Sequence, residues 1–173
     1  MHDLYLSLGS SIGDRERHLA DAIAHLRSAG IGIERLSSLY ETQPVGENAG
    51  PGWFLNMAAA GRTDLDGPTL VNLCVSVEEA MGRQRSIPGG PREIDIDVLM
   101  LGDEIVSAPG CQIPHPRMPD RRFVLEPLAE IAPGAIHAPS GRTVSDLLAR
   151  LHDPSRVVKL GPLHLVGACG GCA

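Results

Sequence analysis

Two stretches of helical period, each flanked by stretches of period two, constrain this chain more than any other feature. DLYLSLGS alternates Leu4, Leu6 and Leu8 with Asp3, Tyr5 and Ser7, the pattern of a half-buried strand that ends at Gly9. GDRERHLADAIAHLRSAG then sets Leu19, Ile23 and Leu26 on one helical stripe, with Asp14 as N-cap and Gly30 as stop. IGIERLSSLYET reads as a second strand from Ile31 to about Glu41, and TQPVGENAGPG as a polar Pro/Gly loop. WFLNMAAAGRT is a third strand with Phe54, Asn56, Ala58 and Ala60 on one face. DGPTLVNLCVSVEEAMGR is a second long helix whose buried stripe carries Leu70, Leu73, Cys74, Val77 and Met81. After RQRSIPGGPR, the segment EIDIDVLML supplies a fourth strand.

The order β-α-β-β-α-β predicts an α+β fold with a ferredoxin-like core, an antiparallel sheet with both helices on one face. The last third holds a turn at Gly102–Asp103, the loop IPHPRMPDRR, a short helix in FVLEPLAEIAP interrupted near Pro127, and a helix in TVSDLLARLHD. This C-terminal helical extension has to cover the sheet's free face or its edge. Residues 1–160 are expected to form a single domain, followed by a tail over 161–173. A chain of 173 residues can bury a core of its own. Its four cysteines are therefore not read as a disulfide framework: Cys74 falls on an apolar helix stripe, and the C-x-x-C of Cys169 and Cys172 sits in a glycine-rich end with no second pair for zinc.

The net charge of −6 argues against a general affinity for nucleic acid or anionic membranes, so any anion must meet a local basic cluster. The N-terminal MHDLYLSLGS lacks the basic start and apolar core of a signal peptide, and no run approaches a membrane span. The expectation is a monomeric cytoplasmic protein that acts on small molecules.

Asp95 and Asp97 lie two apart on the fourth strand and project to one side, roughly 6 to 7 Å apart along the backbone. Such a pair suits magnesium, which takes one or two protein carboxylates and completes its shell with water and substrate phosphates. By itself D-x-D is equally an acidic strand face meeting water. Arg83, Arg85 and Arg92 precede or flank it, and His115, Arg117, Arg121 and Arg122 lie in one later loop. Guanidinium forks around a carboxylate–metal site form a clamp for a polyphosphate, which favours metal-assisted phosphoryl chemistry. GSSIGDRE lacks the lysine of a Walker loop, so arginines and metal would have to hold a nucleotide. Asn56 is a polar residue at an apolar strand position. It reads either as bonded to a nearby loop or as reading the edge of a flat heterocycle.

LSLGSSIGDR, SSLYETQPVG, FLNMAAAG, GPREIDIDVLMLGDE and IPHPRMPDRRFVLEPLAEIAP occur here in order and spacing that resemble the 6-hydroxymethyl-7,8-dihydropterin pyrophosphokinase family of folate biosynthesis. The resemblance covers roughly residues 3 to 135. It implies transfer of the β,γ-pyrophosphoryl unit of ATP, the co-substrate, to the pterin's hydroxymethyl oxygen with release of AMP. By that resemblance Asp95 and Asp97 bind two Mg2+ ions, Arg83 and Arg92 act on the triphosphate, and His115 and Arg121 contact phosphates. Glu78 and Arg85 fall near the nucleotide. Asn56 and the groups around Thr42, Gln43 and Val45 hold the pterin edge, with Phe123 stacking and Phe54 beside the ring.

This chain departs from that pattern in the loop RSIPGGPR, where Pro88 and Gly89 stand in place of a basic residue and a tryptophan that stacks on the pterin in some members. Pro116, Gly110 and Gln112 also differ from residues of some members near the nucleotide. These departures imply weaker pterin affinity or altered loop behaviour. They leave two alternatives: a non-catalytic descendant that binds a nucleotide or a partner, and another D-x-D nucleotidyl or glycosyl transferase. The first should have lost its acidic pair, and the second leaves Asn56, Phe123 and the His115 loop without a role.

Overall fold

The computed structural model describes residues 1–44, 46–48, 50–84 and 88–165. Strand β1 spans His2–Ser10 and leads into helix α1, Arg15–Ser28, whose first turn is capped by the Asp14 carboxylate accepting from the Arg17 amide. Gly30 (φ 90°) turns the chain out of α1 in a left-handed conformation that favours glycine. Next come β2, Gly32–Leu36; β3, Ser38–Thr42; and β4, Phe54–Thr63. Helix α2, Gly67–Ala80, is capped by Asp66, and β5 runs Asp95–Leu101.

The single strand expected over residues 31–41 is therefore two, both paired to β4 and broken at Ser37. The Ser37 amide donates to the Ala58 carbonyl at 2.9 Å, but the Ala58 amide donates to the Ser37 hydroxyl at 2.8 Å instead of a backbone carbonyl. A side chain has replaced one rung of the ladder, which interrupts the strand without releasing it.

Beyond β5, the short hairpin of β6, Val106–Ala108, and β7, Cys111–Ile113, is followed by a 3-10 turn at Met118–Asp120 and helix α3, Arg122–Ile131. Pro127 lies inside α3, which runs through it. The expected interruption is absent because proline removes one N–H and the buried helix is held by packing along its whole face. A two-residue hairpin, β8 at Ile136–His137 and β9 at Arg142–Thr143, leads to α4, Val144–Arg150, and then to β10, Val157–Pro162.

The main sheet runs β10-β3-β4-β1-β5, with β2 also paired to β4, and its pairings are antiparallel. The core β1-α1-(β2/β3)-β4-α2-β5 is the ferredoxin-like α+β arrangement expected. Leu4, Leu6 and Leu8 of β1 face α1 and α2 in one apolar cluster with Leu19, Ile23, Leu70 and Val77. On the other face Ala58, Leu99 and Met100 pack against Val124, Leu125 and Leu128 of α3 and Val144 and Leu147 of α4. The C-terminal extension thus covers the free face, and β10 adds an edge strand along β3 that the sequence reading did not anticipate.

Opposite Tyr5 and Leu6 of β1, the register on β5 jumps from Met100 to Val98, so Leu99 is an extra residue that bulges. This shift lets Val98 and Leu101 serve the first cluster while Leu99 and Met100 serve the second. Among the described residues no helix is long and apolar enough to cross a membrane.

Candidate active site

Sheet register builds the floor of the site. Gly9 of β1 lies between Asn56 of β4 and Asp95 of β5, and Ser7 lies between Ala58 and Asp97. Residues opposite one another share a face, so Asn56, Gly9, Asp95 and Ser7, Asp97 all look to the side occupied further along by α3 and α4. The helices stop short of this end, where a cavity of about 860 Å³ opens. Gly9 is the low point of its floor: a Cβ there would collide with Asn56 Oδ1.

At one end of the cavity the Asn56 amide donates to Thr42 Oγ1 at 2.6 Å, both groups being buried. This bond settles the alternatives left open for Asn56 only in part. The side chain is satisfied structurally by a neighbouring strand, yet it lines the cavity and its Oδ1 faces Gly9. Phe54, Gln43 and Phe123 line the same region. Arg15 braces it from outside, donating to the Trp53 carbonyl at 2.7 Å and to Glu41 at 3.0 Å. The Gln43 amide donates to the Arg156 carbonyl at 3.0 Å, which ties this wall to the segment leading into β10.

At the other end the acids meet the arginines. Arg83 donates to Asp95 Oδ1 at 2.6 Å and also pairs with Glu78 at 2.6 Å, while Arg92 donates to Asp95 Oδ2 at 3.1 Å. Both oxygens of Asp95 are thus engaged by guanidinium groups. Glu78 is only 2% exposed and accepts from the Ile96 amide at 2.7 Å, fastening α2 to β5 between the two aspartates. Its contacts fix the position of Arg83 and of the Asp95–Asp97 segment.

Among the described residues Asp97 has no such direct partner; its nearest is His115 Nε2 at 4.0 Å. Its carboxyl is pushed up to about 7, first by burial, then by the negative charges of Asp95 and Glu78; Arg121 and Arg92 oppose this. The His115 amide donates to the carbonyl of the bulged Leu99 at 2.9 Å, which seats its loop on β5. His115 Nδ1 accepts from the Arg117 amide at 3.2 Å, so the neutral ring carries its proton on Nε2, toward Asp97. Burial and then Arg121 push its pKa down, Arg117 adds to this, and Asp95 pulls the other way. Arg121 lies over the Phe123 ring at 5.4 Å, and Arg92 over Phe54 at 5.5 Å.

The described residues singled out from the sequence therefore converge on one cavity, except Arg122, whose guanidinium donates instead to the Asp153 carbonyl at 3.0 Å and to Glu126 at 3.1 Å. Val45, Arg85 and the Cys169/Cys172 pair lie outside the described residues. Gly9, Ser7 and Ser11 were not singled out, because their value depends on cross-strand partners rather than on any local motif.

The donor set fits a divalent cation that completes its coordination with substrate and water. Among the described residues no group of three or more acidic, histidine or cysteine side chains could hold a metal alone. Two adjacent carboxylates nevertheless share one face, and Asp97, raised first by burial and then by the charges of Asp95 and Glu78, would be relieved by a cation beside it. Among the described residues the buried Arg92 Nε has no acceptor, which fits a phosphate oxygen arriving beside it.

The family model for 7,8-dihydro-6-hydroxymethylpterin-pyrophosphokinase matches residues 5–133, the stretch that contains every strand and loop of this cavity up to α3. The chain belongs to this family. It is 44% identical over 157 residues to the 2-amino-4-hydroxy-6-hydroxymethyldihydropteridine pyrophosphokinase of Methylorubrum extorquens, covering 90% of this chain and 97% of that one. The enzyme of the same name from Bacillus subtilis is 44% identical over 128 residues, 73% of this chain and 76% of that one. A crystal structure titled Plasmodium falciparum HPPK-DHPS shares the fold, with a TM-score of 0.65 at 16% identity over 86% of this chain. This chain spans 44% of that longer protein.

Within the pyrophosphokinase family, the departures noted in the sequence fall together in space. Pro88, Gly89, Gly110, Gln112 and Pro116 all line the cavity.

Proposed function

We propose that this chain transfers the β,γ-diphosphoryl group of ATP to the hydroxymethyl oxygen of 6-hydroxymethyl-7,8-dihydropterin, as a single-domain, monomeric, cytoplasmic pyrophosphokinase over residues 1–160 that uses two Mg2+ ions. The observation that carries this reading is the single row Asn56, Gly9, Asp95 across three strands, with an amide at one end, a carboxylate at the other and no side chain between. Neighbouring strands lie about 4.8 Å apart, so the row spans roughly 10 Å, the scale of a bicyclic heterocycle with its hydroxymethyl arm. A heterocycle held at Asn56 and Phe123 points its arm over Gly9 toward Asp95 and Asp97.

Magnesium held by Asp95 and Asp97 would neutralise the triphosphate and acidify the accepting hydroxyl. The chain's own residues bind and orient. Arg83, Arg92 and Arg121 supply planar donors to phosphate oxygens, and the protonated Nε2 of neutral His115 supplies another. The pterin oxygen bonds to the β-phosphorus, the bond from that phosphorus to the α,β-bridging oxygen breaks, AMP departs, and the hydroxyl proton passes to water. Positioning and charge stabilisation carry the rate, as expected for phosphoryl transfer. Protein supplied with ATP, Mg2+ and the hydroxymethyl pterin should release AMP in a pterin-dependent way. Release of ADP would overturn the reading in favour of transfer of the γ-phosphoryl group alone, and absence of turnover would overturn it in favour of a non-catalytic binding role.

A further inference from the structure

We propose that Ser11 is a positioning residue for Arg92. The inference rests on the reading that Arg92 holds the triphosphate. Arg92 lies just before β5 in no regular element, so no ladder fixes its main chain. Its amide donates to Ser11 Oγ at 3.0 Å, and its carbonyl accepts from the Ser11 amide at 3.0 Å, across 81 residues of chain. The same hydroxyl lies 3.4 Å from that carbonyl and donates to it. Ser11, only 9% exposed, thus grips both polar groups of the Arg92 backbone from the end of β1.

The grip is enclosed. On the far side of Ser11, a Cβ at Gly52 would lie 3.3 Å from the Ser11 carbonyl, and a Cβ at Gly50 would lie 2.9 Å from Pro91 Cγ. The loop before β4 therefore packs against Ser11 and Pro91 together, and the Arg92 backbone has little room to shift. The guanidinium, placed by this anchor, reaches Asp95 and the Phe54 ring while its buried Nε has no acceptor among the described residues. A donor held in place before its acceptor arrives costs less to organise when the acceptor binds. Ser11 supplies that organisation through a hydroxyl that accepts and donates at once, which alanine cannot imitate and threonine can.

The test is a double-mutant cycle read by calorimetric binding of a non-hydrolysable ATP analogue with Mg2+. Ser11→Ala should weaken the analogue about fivefold to tenfold, Ser11→Thr should stay within about twofold of the parent, and Ser11→Ala added to Arg92→Ala should change binding by less than about twofold. Should Ser11→Ala not fold, Ser11→Cys, which keeps the volume and offers only a weak acceptor, makes the same comparison. An equal loss in both backgrounds, or parent-like binding by Ser11→Ala, would overturn the proposal. If Arg92→Ala alone leaves binding unchanged, the reading of Arg92 fails together with the proposal. Because the readout is affinity, failure of the parent to release AMP would refute the proposed reaction and leave this cycle intact.

Discussion

Asp97 offers a test in which the reaction's requirement and the fold's preference point in opposite directions. Its carboxyl, ordinarily near 3.8, is held at about 7 in the folded chain. Folding therefore favours the protonated form. The associated stability is fully present below about pH 4 and is lost as pH rises through 7, where Asp97 ionises beside Asp95 and Glu78. Sealed from water, the difference would correspond to about 4 kcal/mol at pH 8. The side chain keeps 35% exposure, so solvent screening reduces the expected value to about 1–2 kcal/mol.

Asp97→Asn cannot ionise and loses no short hydrogen bond, since among the described residues the nearest partner of Asp97 is 4.0 Å away. In EDTA at pH 8 the variant should melt about 2–6 °C above the parent, and at pH 5 the gap should shrink by more than half. Adding Mg2+ with an ATP analogue should raise the parent's melting temperature more than the variant's, and AMP release should fall roughly a thousandfold in the variant. Thermal melts by circular dichroism at the two pH values decide the matter. A variant that is less stable at pH 8, or a gap that does not change with pH, would refute the electrostatic argument.

Three further outcomes follow from the same geometry. Gly9→Ala forces its Cβ against Asn56 Oδ1, and should cost about 1–3 kcal/mol in chemical denaturation while raising the KM for the pterin at least about tenfold and leaving that for ATP little changed. Arg83→Ala frees Asp95 Oδ1 from its guanidinium, so Mn2+ binding without nucleotide, followed by electron paramagnetic resonance, should tighten severalfold while affinity for the ATP analogue falls. Weaker Mn2+ binding would show that Arg83 does not compete with a cation for this acid. Cys74, on the buried face of α2 with its thiol pushed up to about 12 by burial, then Glu78 and Asp97, should resist Ellman's reagent at pH 8 in the native protein and react on denaturation. Prompt native reaction would contradict its placement in the core.

The core was readable from the sequence wherever one element determined its own period. Leu4, Leu6 and Leu8 mark β1, and Asp14 marks the start of α1 as its cap. What could not be read depended on a partner distant in the chain. The break at Ser37 exists because a hydroxyl substitutes in a rung shared with Ala58. Strand β10 was missed because VVKLGP is short, mostly exposed and followed by a glycine-rich end, so that only the waiting edge of β3 makes it a strand.

The site divides in the same way. Asp95 and Asp97 were visible as a pair, but the engagement of both Asp95 oxygens by Arg83 and Arg92 requires the chain to fold back over the start of β5. Gly9 carries no side chain and so no signal. Its importance appears only when Asn56 and Asp95 stand on either side of it.

The bulge at Leu99 has a consequence for how the chain avoids folding wrongly. If β5 slid by one residue along β1, Ile96 and Val98 would turn into the cavity and Asp95 and Asp97 would enter the leucine layer beneath α1 and α2. Each unpaired carboxylate there would cost several kcal/mol. In the slipped state Asp95 would lose Arg83 and Arg92, so the same two side chains that would hold the metal also act as a register key for the edge strand.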